Sequence, residues 1–343
     1  MRHGLTRRQF GSAALAGVAY GSARSVRADE PLQLRCSLDT APSHGRNISL
    51  GDYLKKVEAA SNGRIKTELF ASGQLFADLD VGKALVQGQV EMACPGSWTL
   101  TGFIPDADLF QLPSLYGQPA EIVHKIIDGP AGQAVANSIQ QRLRSHVVGP
   151  WLDLGYSNWY TTAKPISTLA DLKGMKIRNS GGAGQAWRAR YVGAIPNTTA
   201  WPNVPLALSQ GTFDGLVTTN ESSASAKLWE AGVKYCLEDH QYFGEYVPMV
   251  SLTFWNKLSA GDQKMMTDLW AQNIGTYRAN MGAAQTKARQ TMESHGVKYV
   301  DPTPAQIADW RKGMVADQEQ VAKELKIAPE VLKLVVADAG AAS

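Results

Sequence analysis

Val81-Gly-Lys-Ala-Leu-Val-Gln-Gly-Gln-Val-Glu-Met92 recurs in outline as Val204-Pro-Leu-Ala-Leu-Ser-Gln-Gly-Thr-Phe-Asp-Gly215. Val, Ala, Leu, Gln and Gly hold the same five places in both copies, and Val90/Phe213 and Glu91/Asp214 agree in character. Each copy predicts a helix that stops at Gln-Gly, a tight turn, and the start of a strand. Either two ordinary α/β units agree by chance, or the chain holds two related α/β domains. The length of the chain favours the second reading.

Working outward, short apolar runs alternate with amphipathic ones. Leu32–Leu38, Lys66–Phe70 and Val90–Cys94 read as strands, with helices over Ile48–Ser61 and Asp78–Gln87 between them. Val147–Leu154, Trp159–Ala163, Met175–Arg178 and Leu216–Thr218 read as later strands. Gly184–Val192, Val204–Gln210 and Ser222–Ala231 read as helices among them. From Ser259 to about His295 the helical pattern runs on without a proline. Such alternation implies largely parallel sheets covered by helices, with a binding crevice beyond the carboxyl ends of the strands. The segments after the two echoed strands are Pro95-Gly96-Ser97-Trp98 and Thr218-Thr219-Asn220-Glu221, which would face one another across a cleft.

The N-terminus reads as an address. Thr6-Arg7-Arg8-Gln9-Phe10 is a twin-arginine signature, a short Gly/Ala-rich apolar run follows, and Val26-Arg27-Ala28 offers a small-residue cleavage site. The mature chain is expected to begin at Asp29, in the periplasm. Residues 1–28 hold five arginines and no acid, so their removal leaves 29 Lys+Arg against 31 Asp+Glu. No basic run remains, which argues against nucleic acid and anionic membranes as partners. No later stretch has the apolar length of a spanning helix.

Chemistry-bearing motifs are sparse. Cys36, Cys94 and Cys236 are odd in number and read as buried thiols, with a Cys36–Cys94 bridge as the alternative. No Cys/His spacing indicates a metal, no dinucleotide or phosphate loop is present, and no cofactor is expected. Glu238-Asp239-His240 is the tightest polar cluster. It reads as a solvated turn before Tyr246–Leu252, against a proton shuttle or a metal. Asp171-Leu-Lys-Gly-Met-Lys-Ile-Arg178, followed by Asn179-Ser-Gly-Gly-Ala-Gly184, is more informative. Arg178 stands at a strand's carboxyl end, beside the amides of a helix start, and both suit a carboxylate. The competing reading is a surface arginine paired with a nearby acid. Trp98 and Trp201 fall near element ends, where aromatic walls suit a small amphipathic ligand.

These segments resemble a known family. Thr168-Leu-Ala-Asp-Leu-Lys-Gly-Met-Lys-Ile-Arg178, Val192-Gly-Ala-Ile-Pro196, Ala207–Gly215 and Leu228–Tyr235 follow in the order of the DctP-type extracytoplasmic solute receptors of TRAP (tripartite ATP-independent periplasmic) transporters. The resemblance implies a two-domain periplasmic-binding-protein-like fold with a central ligand cleft and a long helix spanning both domains. Domain I is expected over 29–155 and 244–283, and domain II over 156–243 and 284–343. It further implies a monomer without catalytic activity that delivers a small carboxylate to a TRAP-type permease, with Arg178 gripping the carboxylate. Thr218 stands where the family often has a ligand-contacting asparagine, with Asn220 and Glu221 just beyond, and Asn158 replaces a second arginine. The Glu-Trp pair of metal-assisted keto-acid binding is absent. Ligand contacts are therefore expected from Arg178, Thr218, Asn158, Trp98, Asn220, Glu221 and Trp201. The alternatives are a secreted hydrolase or lyase built on Glu221 or Glu238 with His240, and the binding protein of an ATP-driven importer.

Overall fold

The computed structural model describes residues 30–340. The expected export signal and its cleavage site lie outside the described residues. β1 (Leu32–Ser37) leads into α1 (Gly45–Ala60), and β2 (Ile65–Phe70) into α2 (Asp78–Val86) and β3 (Met92–Ala93). α3 (Ala120–Ile127) and α4 (Pro130–Leu143) follow, then β4 (Ser145–Val147) and the long β5 (Leu152–Thr161). The middle of the chain alternates β6 (Lys176–Asn179), α5 (Ala183–Tyr191), β7 (Ile195–Thr198), α6 (Val204–Ser209), β8 (Gly215–Thr218) and α7 (Asn220–Ser225). Then come β9 (Tyr235–Tyr246), β10 (Met249–Ser251), α8 (Leu252–Trp255), α9 (Ala260–Ser294) and β11 (Lys298–Val300). Three helices close the chain: α10 (Pro304–Val315), α11 (Gln318–Leu325) and α12 (Pro329–Gly340).

The strands form two sheets, in the orders β2-β1-β3-β10-β4 and β11-β9-β5-β8-β6-β7. The βα alternation yields the expected parallel pairs, β1 with β2 and β3, and β6 with β7 and β8. The antiparallel pairs arise where the chain crosses between sheets. β4 runs on toward β5, and β9 returns to β10, so β5 and β9 lie antiparallel as a twisted ribbon. That crossing is held by Val148 N–H donating to Pro248 O and Val247 N–H donating to Pro95 O. The single strand β5 replaces the two strands expected over 147–163.

The echoed segments fold alike in detail. At the end of α2, Gly88 N–H donates to Leu85 O and Gln89 N–H to Ala84 O. At the end of α6, Gly211 N–H donates to Leu208 O and Thr212 N–H to Ala207 O. Both glycines sit at φ 68°, so both helices end in the same Schellman motif. Val90 and Phe213 are then buried as the chain turns inward.

The unbroken pattern from Ser259 becomes α9, a 35-residue helix capped by the Ser259 hydroxyl. At 1.5 Å per residue it is about 52 Å long. It packs on α1 from the first sheet's side and on α7 and β5 from the second's. Trp270 of α9 is fully buried edge-on to Tyr53 of α1, with ring centroids 5.1 Å apart. α12 packs on α3 and α4, which brings the C-terminal helix back over the first half of the chain. All three cysteines are buried free thiols, so the bridge between Cys36 and Cys94 is not formed.

The Glu238-Asp239-His240 cluster is not a solvated turn. It lies inside β9, where Asp239 is fully buried and accepts from Tyr116 Oη at 2.5 Å and Trp159 Nε1 at 2.8 Å. Reading the run by its polarity failed because two buried donors supply what water would otherwise give. Ser222–Ala231 shortens to α7 because Lys227, at φ 51°, turns the chain.

Candidate functional site

A narrow crevice runs between the carboxyl ends of the strands of the two sheets, where open α/β sheets place their ligands. Asp39 and Thr40 follow β1, Asp78 and Leu79 open α2, and Trp98 and Thr99 follow β3. From the other side come Arg178 and Ser180 at the end of β6, Trp201 after β7, and Thr218 and Ser222 around the end of β8. Leu154 and Tyr246 of the β5–β9 ribbon form the floor. The crevice encloses about 40 Å³. That is far below the few hundred Å³ of a typical small-molecule pocket.

Among the described residues three arginines are fully buried, and their surroundings differ. Arg46 is neutralised twice, by Asp39 at 2.6 Å and Asp78 at 2.7 Å, and lies over the Tyr246 ring. Arg188 lines no part of the crevice; it is sealed by Gln111 and the rings of Tyr116 and Tyr242. Arg178 donates Nε and Nη2 to Thr199 O and Nη1 to Ser180 Oγ, and stacks near Trp201 with its guanidinium 5.3 Å from the ring centroid. No carboxylate among the described residues lies within ion-pair distance of it. An arginine has five N–H donors. Two therefore remain, on a side chain that lines the crevice. Burial lowers its pKa to about 10, so the group keeps its charge at neutral pH. An unpaired buried cation is costly and calls for an anion.

Glycines let the walls approach. Gly181 and Gly182 have φ of 120° and 80°, and a Cβ on Gly182 would come within 3.1 Å of Trp98 O. Three amides of this turn, which was expected to help hold an anion, are already used. Gly184 N–H donates to Asp108 at 2.8 Å, Ser180 N–H to Gln185 and Gly181 N–H to Asn179. Asp108 caps α5, which leaves Arg178 as the anion-seeking group of this turn.

Of the residues expected to touch ligand, Arg178, Thr218, Trp98 and Trp201 line the crevice together. Asn158, Asn220 and Glu221 do not. Asn158 lies opposite Thr218 in register, but the irregular pairing of β5 with β9 between Ser157 and Trp159 turns its Oδ1 to accept from His240 N–H. Asn220 is consumed by Tyr160, Tyr299 and Glu238. Glu221 accepts from Gly45 N–H at the start of α1 and stands 2.7 Å from His44 Nε2. The crevice also holds Asp39, Thr40, Asp78 and Tyr246, which the sequence reading missed. The first two follow directly on the end of β1, so the strand-end rule applied to every strand would have found them. Burial pushes the Asp78 carboxyl up from its ordinary range.

A second cavity, about 910 Å³, lies between α9, α10 and the ribbon. Its size favours it and its charge does not. Arg289, its cation, is matched by Asp301, Glu238 and Glu293.

Two lobes joined by a crossing ribbon and a shared long helix, with strand ends converging on one buried cation, define a cleft-type binding protein. The chain belongs to the DctP family, bacterial extracellular solute-binding protein family 7, whose model matches residues 40–324. It is 25% identical over 327 residues to the C4-dicarboxylate-binding periplasmic protein DctP of Rhodobacter capsulatus, covering 94% of this chain and 96% of that one. Its fold is similar to the sugar acid binding protein DctPAm from Advenella mimigardefordensis, solved with galactonate, at TM-score 0.85 and 20% identity over 92% of this chain and 99% of that one. It is also similar to a TRAP periplasmic solute binding protein from Sulfurospirillum deleyianum with bound succinate, at TM-score 0.81 and 23% identity over 89% and 98%.

Proposed function

We propose that this chain is the periplasmic receptor of a TRAP-type transporter, which captures a small organic-acid carboxylate in the crevice and delivers it to a membrane permease. Export by the twin-arginine route accords with Arg7-Arg8 and the small-residue site at Ala28. The observation that carries the reading is Arg178, a buried guanidinium on the crevice wall whose protein partners are a carbonyl and a hydroxyl rather than an acid. A ligand carboxylate supplies the missing charge, Trp98 and Trp201 supply apolar walls, and Thr218 and Asp78 offer polar contacts to a substituted acid. The protein binds and releases its ligand unchanged. The relatives bind carboxylates of different sizes, C4-dicarboxylates and a sugar acid among them.

A thermal-shift screen of residues 29–343 against small carboxylates tests the reading. A ligand selective for the folded state stabilises it by about 2.7 kcal/mol at a hundred times its Kd. A shift with one chemical class that vanishes in Arg178→Ala supports it. A shift that persists in the variant removes Arg178 as the anchor. Turnover of the shifting acid would make the protein an enzyme and sink the receptor reading.

A further inference from the structure

Asp153 of β5 and Glu245 of β9 face each other directly across the ribbon. Like charges so placed on adjacent strands destabilise a sheet. Here both are also buried, Glu245 completely, and neither Glu245 oxygen has a hydrogen-bond partner. His124, in the last turn of α3, points its Nε2 at the same spot, 2.8 Å from Asp153 Oδ1 and 4.0 Å from Glu245 Oε1. One candidate ligand atom from each residue lies within 4.8 Å of the other two. The nearest cation, Arg278, is shared between two acids. Arg278 forks onto Asp128 through both terminal nitrogens, at 2.6 and 2.9 Å, and its Nε donates to Trp151 O. Its Nε also forms an ion pair with Asp153 Oδ1 at 3.3 Å, and no such pair with Arg278 is made by Glu245.

From this geometry we infer that His124, Asp153 and Glu245 form a binding site for one divalent transition-metal ion of the zinc type. One imidazole nitrogen and two carboxylate oxygens suit a borderline ion, which takes four-coordinate geometry with three protein ligands and one open position. Two buried carboxylates supply the charge that matches a dication, and the histidine selects against calcium and magnesium. Access is open, because Asp153 and Phe243 also line the 910 Å³ cavity and the His124 side chain is 27% exposed. The ligands come from positions 124, 153 and 245, too far apart for any spacing motif. The ion ties α3 to the ribbon where the chain crosses between sheets. The site shares no residue with the crevice and does not depend on the receptor reading.

The test is zinc binding by untagged residues 29–343 after dialysis against chelator, followed by equilibrium dialysis against ZnCl2 with elemental analysis and a thermal scan. One equivalent of zinc and a rise in Tm that chelator reverses are expected. Loss of an outer-shell partner of a metal ligand weakens affinity about 10–100-fold. His124→Ala and Glu245→Gln, which remove direct ligands, should each weaken it at least about 100-fold while circular dichroism stays native. Should Glu245→Gln fail to fold, the partly exposed His124→Ala decides alone. No saturable zinc would overturn the proposal in favour of a proton shared by Asp153 and Glu245. So would wild-type affinity in His124→Ala, or calcium or magnesium binding at the same site with equal strength.

Discussion

The Glu221 carboxylate joins the first turn of α7 to the first turn of α1: Oε2 lies 2.7 Å from His44 Nε2, and Oε1 accepts from Gly45 N–H at 3.0 Å. His44 is fully buried and its Nδ1 accepts from Arg46 N–H, so Nε2 carries the proton that faces Glu221 and Ser222. A carboxylate also complements the positive end of a 16-residue helix. Helix α1 lies against the first sheet and α7 beside the second, so this contact clasps the two sides of the fold to each other.

The clasp predicts a ligand effect without ligand contact. Hydrogen bonds to charged groups contribute about 1.5–3 kcal/mol. If the clasp forms only when the lobes close, Glu221→Gln should weaken affinity for the screened carboxylate about 10- to 150-fold, at about 1.4 kcal/mol per decade. Isothermal titration reads this directly. An unchanged Kd would mean that the clasp is equally made in the open protein.

At Arg178 the same measurement should show a larger loss. Truncating one member of a buried charge pair costs about 2–5 kcal/mol. Arg178→Ala is expected to bind roughly 30-fold to several thousand-fold more weakly. Arg178→Lys should fall between, because an ammonium cannot hold Thr199 O and Ser180 Oγ while presenting a two-pronged face.

Helices α2 and α6 end on glycines with the same φ of 68°, and a Cβ on Gly211 would meet open space. Only the left-handed conformation is at stake there, which costs an L-residue about 1–2 kcal/mol. Gly211→Ala should lower stability by that amount, and Gly88→Ala by a similar one, as read by urea denaturation. A neutral Gly211→Ala would show that the matching turns are not under the same backbone constraint.

Asp108 should make stability depend on pH. Burial raises its carboxyl to about 7, although Gly184 N–H donates to it. The unfolded carboxyl titrates near 3.9. Between those values the folded state holds the extra proton, so stability falls as pH rises from about 4 to about 7. The slope from one proton is at most about 1.4 kcal/mol per pH unit. Asp108→Asn should flatten the pH dependence of Tm between pH 5 and 7.5; an unchanged profile would assign it to other groups.

Much of the frame was legible because it is written in local chemistry. Periodicity placed α1, α2, α5 and the long α9, and the Gln-Gly echo marked two helix ends whose hydrogen bonds proved identical. Arg178 was legible because a strand followed by a glycine-rich turn fixes where its last residue must stand. Asn158 and Asn220 were misplaced for a shared reason. Thr218, which lines the crevice, lies two residues before Asn220 and opposite Asn158 in register, but their own side chains are taken by His240 N–H, Tyr160, Tyr299 and Glu238, partners far along the chain.

By itself, then, the sequence determined the main helices and strands around the two echoed segments, the long α9, the two-lobed plan and an arginine at a strand's carboxyl end, since each follows from backbone sterics and burial acting over a few residues. Tertiary structure alone decided which charges are spent and which are free. Arg46 and Arg178 are both fully buried, yet one is met by Asp39 and Asp78 and the other by a carbonyl and a hydroxyl. Likewise only the ribbon brings Asp153 and Glu245 face to face beneath His124. Charge pairing acts through space over a few ångströms, and no pattern along the chain encodes distances that close only when strands 90 residues apart are laid side by side.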